Sequence, residues 1–314
     1  MKQHKFSVIL ILLTMFLVTQ FIGLFVLDIY APQPIINETT GNTTLTQNNL
    51  PFGLETPEDE SPTFLSLLFS FALAFALIFI LMKYKWKIII RTWFFLVITL
   101  ALAITINAFL KLTTLTNIAT IALVIAIPLT FIKIFRPNFY IHNATELLIY
   151  PGIAAVFVPI LTPLSIIALL ILISLYDAWA VWKSGIMQKM AKFQMDELKI
   201  FGGFLIPSTS TKIRNQIKNI KTKYKNKKIP KSIKNKKFKV KLAILGGGDV
   251  IFPIITAGVF MRAYGIIPAL FTIIGALAGL ISIFISSKKG KAYPAMPYIT
   301  TGIFIGLLIW KLLF

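Results

Sequence analysis

Two aspartates pose the chemical question in this chain. Of its eleven acidic residues, only Asp177 and Asp249 lie deep inside long apolar segments; Glu146 sits at a segment edge, and the others fall in polar stretches. A carboxylate in hydrocarbon costs about 2.5–3.5 kcal/mol on insertion scales, so such groups persist where they pair or do chemistry. Two carboxylates in close contact cannot both ionise; they share a proton and titrate as a pair. That arrangement lets one group act as general base toward water while the other acts as general acid toward a scissile carbonyl. It serves an ion path equally well. The two residues alone leave a protease and an ion-coupled transporter or channel level, and they do not say which Asp takes which role.

Other chemistries are poorly supplied. The chain has no Cys, which removes disulfides, thiolate metal sites and Cys nucleophiles. Its two histidines, His4 and His142, lie near polar flanks and read as interfacial or solvated, so neither a metal centre nor a Ser–His triad is expected. No metal or organic cofactor is implied.

The elements that must position the aspartates are membrane spans. The 314 residues are 57% hydrophobic and only 14% charged, with a mean hydropathy of +0.81. A soluble domain carries about 25% charged residues, and one water-soluble core cannot hide this apolar excess. About 20 apolar residues cross a bilayer. On that basis nine spans are expected, near 6–27, 63–82, 92–110, 118–135, 146–160, 164–182, 242–261, 266–285 and 295–313. The fold class is all-α, a nine-helix polytopic membrane protein. It divides into residues 1–182 (six helices, with an exterior loop at 28–62), a basic cytoplasmic loop at 183–240, and three further helices at 241–314. The basic loop is expected to begin as an amphipathic helix to about residue 201 and to continue disordered from Pro207.

Charge placement orients these spans. Seventeen of the 32 Lys and Arg fall between positions 183 and 239, and most of the others flank apolar runs. Lys83, Lys85, Lys87 and Arg91 follow the second span, Lys133 and Arg136 the fourth, and Lys288, Lys289 and Lys291 the eighth. Loops after odd-numbered spans carry little beyond Lys111 and Arg262. By the positive-inside rule the N-terminus is cytoplasmic and the C-terminus exterior, in the cell membrane. The net charge of +21 thus reads as a topology signal held by anionic lipid, with no nucleic-acid partner expected. Asp177 lies about five residues before the end of the sixth span and Asp249 about seven after the start of the seventh. At about 1.5 Å per residue they share one depth, on consecutive antiparallel helices.

Glycines and prolines supply the remaining signals. Gly246, Gly247 and Gly248 precede Asp249, and each costs a helix about 1 kcal/mol against Ala. Without Cβ atoms they permit close backbone approach and let the helix start loosen. A protease needs that, because peptide bonds in an intact helix are shielded. Pro294-Ala295-Met296-Pro297 opens the last span; its prolines remove two donors and disfavour helix before each, giving an irregular segment at the depth of the dyad.

Together these pieces resemble the presenilin and signal-peptide-peptidase family of intramembrane aspartyl proteases. The resemblance rests on Tyr176-Asp177, on Gly246-Gly247-Gly248-Asp249 and on Pro294-Ala295-Met296, in that order within one topology. Ala180-Val181, Ile251-Phe252 and Lys288-Lys289 extend the three motifs. It covers the last four spans well and the first five in layout. The charge pattern has the presenilin sense, and the chain is most like an archaeal presenilin homologue. The resemblance implies transmembrane-helix proteins as substrates, Asp177 and Asp249 as catalytic residues, and active-site shaping by Tyr176, Gly246, Gly247, Gly248, Pro294, Ala295, Met296 and Pro297. Tyr176 is expected either to position Asp177 or to anchor at the interface. Met296 replaces the family Leu, a swap that conserves volume. Gly247 stands at the variable motif position, often larger in the family, and is expected to widen the substrate cleft. Asn107 is expected to hydrogen-bond between helices.

Overall fold

The computed structural model describes residues 6–31, 33–36, 43–46, 50–53, 86–136, 138–184, 201–208, 241–287 and 293–314, with isolated positions between 66 and 84. Among the described residues, seven helices are long and apolar enough to cross a membrane. They are α1 (Phe6–Ile29), α2 (Lys87–Leu110), α3 (Ile118–Phe135), α4 (Phe139–Phe157), α5 (Pro163–Trp179), α7 (Ile266–Ser286) and α8 (Met296–Leu313). The eighth long helix, α6 (Gly247–Tyr264), is a different kind of element. Val250 and all of 253–260 are buried, and α6 packs against α1, α4, α5, α7 and α8. Ringed by other helices, α6 needs no continuous lipid-compatible face and can carry an acid in its first turn.

Sequence spacing explains the contacts around α6. On α1, Leu12, Phe16, Gln20, Gly23 and Leu27 recur every three or four residues and form its buried face. α7 and α8 meet backbone to backbone, because a Cβ on Gly275 would collide with the Gly302 carbonyl and one on Gly302 with that of Gly275. Small residues four apart, Gly275 with Gly279 and Gly302 with Gly306, are the usual device for such contact in lipid.

The structure is mostly helical but not purely so, and several boundaries differ from the sequence expectation. Two short antiparallel sheets are present among the described residues. One pairs β1 (Gln33–Ile36) with β2 (Thr43–Thr46) in the segment expected to be an exterior loop. The other pairs β3 (Gly203–Ser208) with β4 (Lys241–Gly246), Gly203 opposite Gly246 and Leu205 opposite Ile244. The seventh span thus loses its first turn to strand: apolar Leu242, Ala243, Ile244 and Leu245 suit a helix and a strand equally well, and so short a run cannot separate the two. Pro207 and Ser208 likewise close β3 instead of opening a disordered stretch. The fifth span starts at Phe139, seven residues before Glu146, because the Asn138 side chain accepts from the Tyr140 N–H and caps a more polar first turn. Pro151 lies within this helix. The sixth span ends in a π turn, Ala180–Ser184. The second expected span, the amphipathic helix after 184 and most of the basic loop lie outside the described residues, so the count of nine is not established by them.

Candidate active site

Asp177 stands in the last turn of α5. Pro163 and the reciprocal cap between Thr162 and Ser165 start that helix, and the π turn follows. Its side chain is buried, at 8% exposure, and Oδ2 accepts the Met296 N–H at 3.0 Å. The Ala295 N–H also reaches the carboxylate. The first N–H groups of a helix have no intrahelical acceptor. At α8 they belong to Ala295 and Met296, while Pro297 has none to give. Asp177 thus caps α8 from another helix, its carboxyl group facing the positive end of the α8 dipole. Ser174 donates to Thr300 at 2.8 Å one turn away and fixes the same α5–α8 seam.

Asp249 is held by its own chain. It is the third residue of α6, and its carboxylate folds back to the backbone N–H of Gly246, the N-cap. A Cβ on Gly246 would lie 3.1 Å from Oδ2, tighter than ordinary packing, so glycine there suits the fold-back. Pro253 removes the donor that would take the Asp249 carbonyl in a regular helix. Gln20, fully buried on α1, donates from Nε2 to the neighbouring Val250 carbonyl at 3.0 Å. α5 and α6 pack together, and the Asp177 charge acts on Asp249.

The other expected site residues divide. Pro294 and Met296 are buried, and Ala295 and Pro297 half-buried, around Asp177. Gly248 is exposed; a Cβ there would meet only Phe252, at 3.7 Å. Gly247 behaves otherwise than expected. It faces α4, where a Cβ would come 2.9 Å from the Tyr150 hydroxyl, so it makes room for Tyr150 instead of widening a cleft. Tyr176 is 42% exposed beside exposed Trp179 and Trp182, in the manner of an interfacial aromatic belt. Asn107 is buried and accepts the Tyr30 O–H at 2.8 Å, joining α2 to the end of α1.

A polar cluster on α4 escaped the sequence reading. Glu146 is fully inside, 2% exposed, and binds Lys133 of α3 at 2.6 Å; it is no edge residue, and Lys133 is no loop anchor. Lys133 also reaches Thr145 and His142, each at 3.3 Å. His142 is not solvated: its side chain is 11% exposed and its Nε2 pairs with the Gly203 carbonyl at 2.8 Å. Asn143 takes both backbone groups of Leu205, accepting its N–H at 3.0 Å and donating to its carbonyl at 2.8 Å. The outer edge of β3 is thereby tied to α4. A signal existed, since His142, Glu146 and Tyr150 recur every four residues and mark one polar helical face. His4 lies outside the described residues.

Seven apolar helices packed with the buried helix α6 define a multi-pass membrane protein in which α5 and α6 bring Asp177 and Asp249 into electrostatic contact. Over residues 43–314 the chain matches the family described as signal-peptide peptidase, presenilin aspartyl protease. It belongs to that family and is an intramembrane aspartyl protease. Two solved structures of a presenilin family intramembrane aspartate protease, in space groups C222 and P2, share its fold. Their TM-scores are 0.60 and 0.58 at 19% identity, over 98% and 96% of this chain and 99% and 97% of theirs. No curated protein sequence matches the chain. The ion-path alternative finds no support in this family membership.

Proposed function

We propose that Asp177 and Asp249 are the catalytic pair and hydrolyse peptide bonds within transmembrane segments of other proteins. The ionised member takes a proton from water as its oxygen attacks the scissile carbonyl carbon; the protonated member gives its proton to the carbonyl oxygen. Collapse of the tetrahedral intermediate then returns a proton to the departing amine. The proton belongs to the pair. The observation that carries this reading is the proximity of the two carboxylates on packed helices α5 and α6, Asp177 braced by the Met296 N–H and Asp249 by that of Gly246, beside exposed Gly248.

β4 supplies a place for an unwound substrate. Residues of an antiparallel ladder point their backbone groups alternately toward and away from the partner strand. Leu205 points toward Asn143, so Ile244 opposite it points its N–H and carbonyl to the far edge of β4. Ile244 is 43% exposed and stands five residues before Asp249. An extended peptide can add there as a third strand, its main chain bonded before its scissile bond reaches the dyad. In the orientation proposed from the charge pattern, with the N-terminus cytoplasmic and the C-terminus exterior, this edge lies at the cytoplasmic side.

The test is cleavage of a single-span substrate by the reconstituted full chain. Asp249→Ala and Asp177→Asn should each abolish product. Cleavage by Asp249→Ala at the parent rate would sink the proposal, and ion flux lost on the same substitutions without proteolysis by the parent would favour the transporter.

A further inference from the structure

Gln20 is a buried polar side chain that the packing of α1 does not require. It stands within that membrane-spanning helix, fully buried, and its Nε2 donates to the Val250 carbonyl of α6 at 3.0 Å. Its Oε1 is equally enclosed and has no hydrogen-bond partner among the described residues. An amide with one group bonded and the other stranded adds little net stability, because the unmade buried bond offsets the made one. Methionine would fill the same space without stranding an acceptor.

Two apolar contacts already lock α1 to α6. A Cβ on Gly23 would collide with Ile254, and one on Gly258 with Leu27, so each glycine seats a side chain of the other helix. Gln20, Gly23 and Leu27 thus meet Val250, Ile254 and Gly258 rung by rung along two parallel helices. The apolar rungs hold the body of α6. The polar rung is the one beside Asp249. That first turn gets little from its own helix: Gly246, Gly247 and Gly248 open it without side chains, and Pro253 withholds the N–H that the Asp249 carbonyl would take. A bond to the carbonyl of the next residue fixes how the turn rotates, and hence where the Asp249 side chain leaves the helix.

We propose that Gln20 is a positioning residue for the hydrolysis: its amide, donating from α1 to the Val250 carbonyl, sets the rotation of the first turn of α6 and so aims the Asp249 carboxylate at Asp177 and the attacked carbonyl. The inference rests on the assignment of Asp249 to the catalytic pair. It makes α1, more than two hundred positions from Asp249 in sequence, part of the active-site framework.

Gln20→Met in the full chain, reconstituted with a single-span substrate, separates this role from simple interhelical bonding. The thermal unfolding midpoint should be unchanged or raised, since the stranded acceptor leaves together with the lost bond. A reacting group misplaced by about 1 Å can cost about a hundredfold, so kcat should fall about ten- to hundredfold with KM unchanged. Leu27→Ala loosens the same seam two turns away and is the structural comparison: its midpoint should fall while kcat, measured well below that midpoint, stays near the parent value. Equal kcat for Gln20→Met and parent, where Asp249→Ala is inactive, would overturn this inference and leave the catalytic pair standing. An equal fall in kcat for Leu27→Ala, or a loss in Gln20→Met that tracks a lowered midpoint, would also overturn it, by making Gln20 one interhelical bond among others. Undiminished cleavage by Asp249→Ala would instead bring down the catalytic assignment, and this inference with it.

Discussion

The two aspartates reach the same place by opposite means. Asp177 comes at the end of its helix and is held by the start of another, through the N–H groups of Ala295 and Met296. Asp249 comes at the start of its helix and is held by its own N-cap, while residues from α1, α4 and β3 brace the turn around it. One site is a single seam between α5 and α8. The other is the meeting point of several elements, so changes far from Asp249 should reach it and changes around Asp177 should stay local.

The largest effect that separates them is on stability among inactive variants. Asp177→Ala should abolish cleavage and also leave the first α8 donors unanswered, a loss typical of a helix cap, about 0.5–2 kcal/mol. Asp177→Asn keeps an acceptor oxygen, so it should be inactive with most of that stability retained. Asp249→Ala should be equally inactive but lose little stability, because it removes a half-buried acid at the same time as a hydrogen bond. Thermal unfolding of the three purified variants checks the order. A drop for Asp249→Ala as large as for Asp177→Ala would break the contrast.

The remote bracing of Asp249 is tested next, through the buried ion pair. Lys133→Met leaves Glu146 charged and enclosed, and breaking such a pair from one side costs about 3–5 kcal/mol. Lys133→Met with Glu146→Leu removes both charges and should recover most of that loss, since apolar replacement of a whole buried pair is often neutral. Asn143→Leu should cost less in stability and show in kinetics: with Leu205 unpinned, the edge of β4 moves and KM rises more than kcat falls. An unchanged KM in Asn143→Leu would mean that α4 does not set the position of that edge.

This asymmetry also governs what could be read from the sequence. One half of the Asp177 setting was visible: Pro294 through Pro297 advertise a helix start, whereas the pairing of that start with Asp177, 119 positions earlier, was not. Most helix boundaries were visible as well, being set by apolar runs between charges. The setting of Asp249 was largely hidden. Leu242 to Leu245 satisfy a helical span and a buried strand alike, and only pairing with Gly203–Ser208, some forty residues earlier, decides for strand. Glu146 and Lys133 looked like segment flanks because each sits near a polar stretch, and nothing local shows that they find each other in the interior. Family resemblance pointed to Gly247 as a cleft residue, whereas its neighbour is a tyrosine nearly a hundred positions away.

Gly247 and Gly248 give the finest version of the comparison, because they are adjacent and face opposite ways. Gly247→Ala adds a methyl against the Tyr150 ring, at 2.9 Å from its hydroxyl and 3.2 Å from Cε1. Overpacking of that kind costs about 1–3 kcal/mol and should lower the unfolding midpoint. Gly248→Ala meets nothing nearer than Phe252 at 3.7 Å. In the first turn of α6 it should be neutral to slightly stabilising, by up to about 1 kcal/mol from helix propensity. Its methyl nevertheless enters the exposed side of α6 proposed to face the substrate backbone, so kcat/KM should fall while stability holds. Gly248→Ala cleaving at the parent rate would show that the substrate does not pass over this face of α6. The β4 edge would then have to deliver the peptide to the pair from another side.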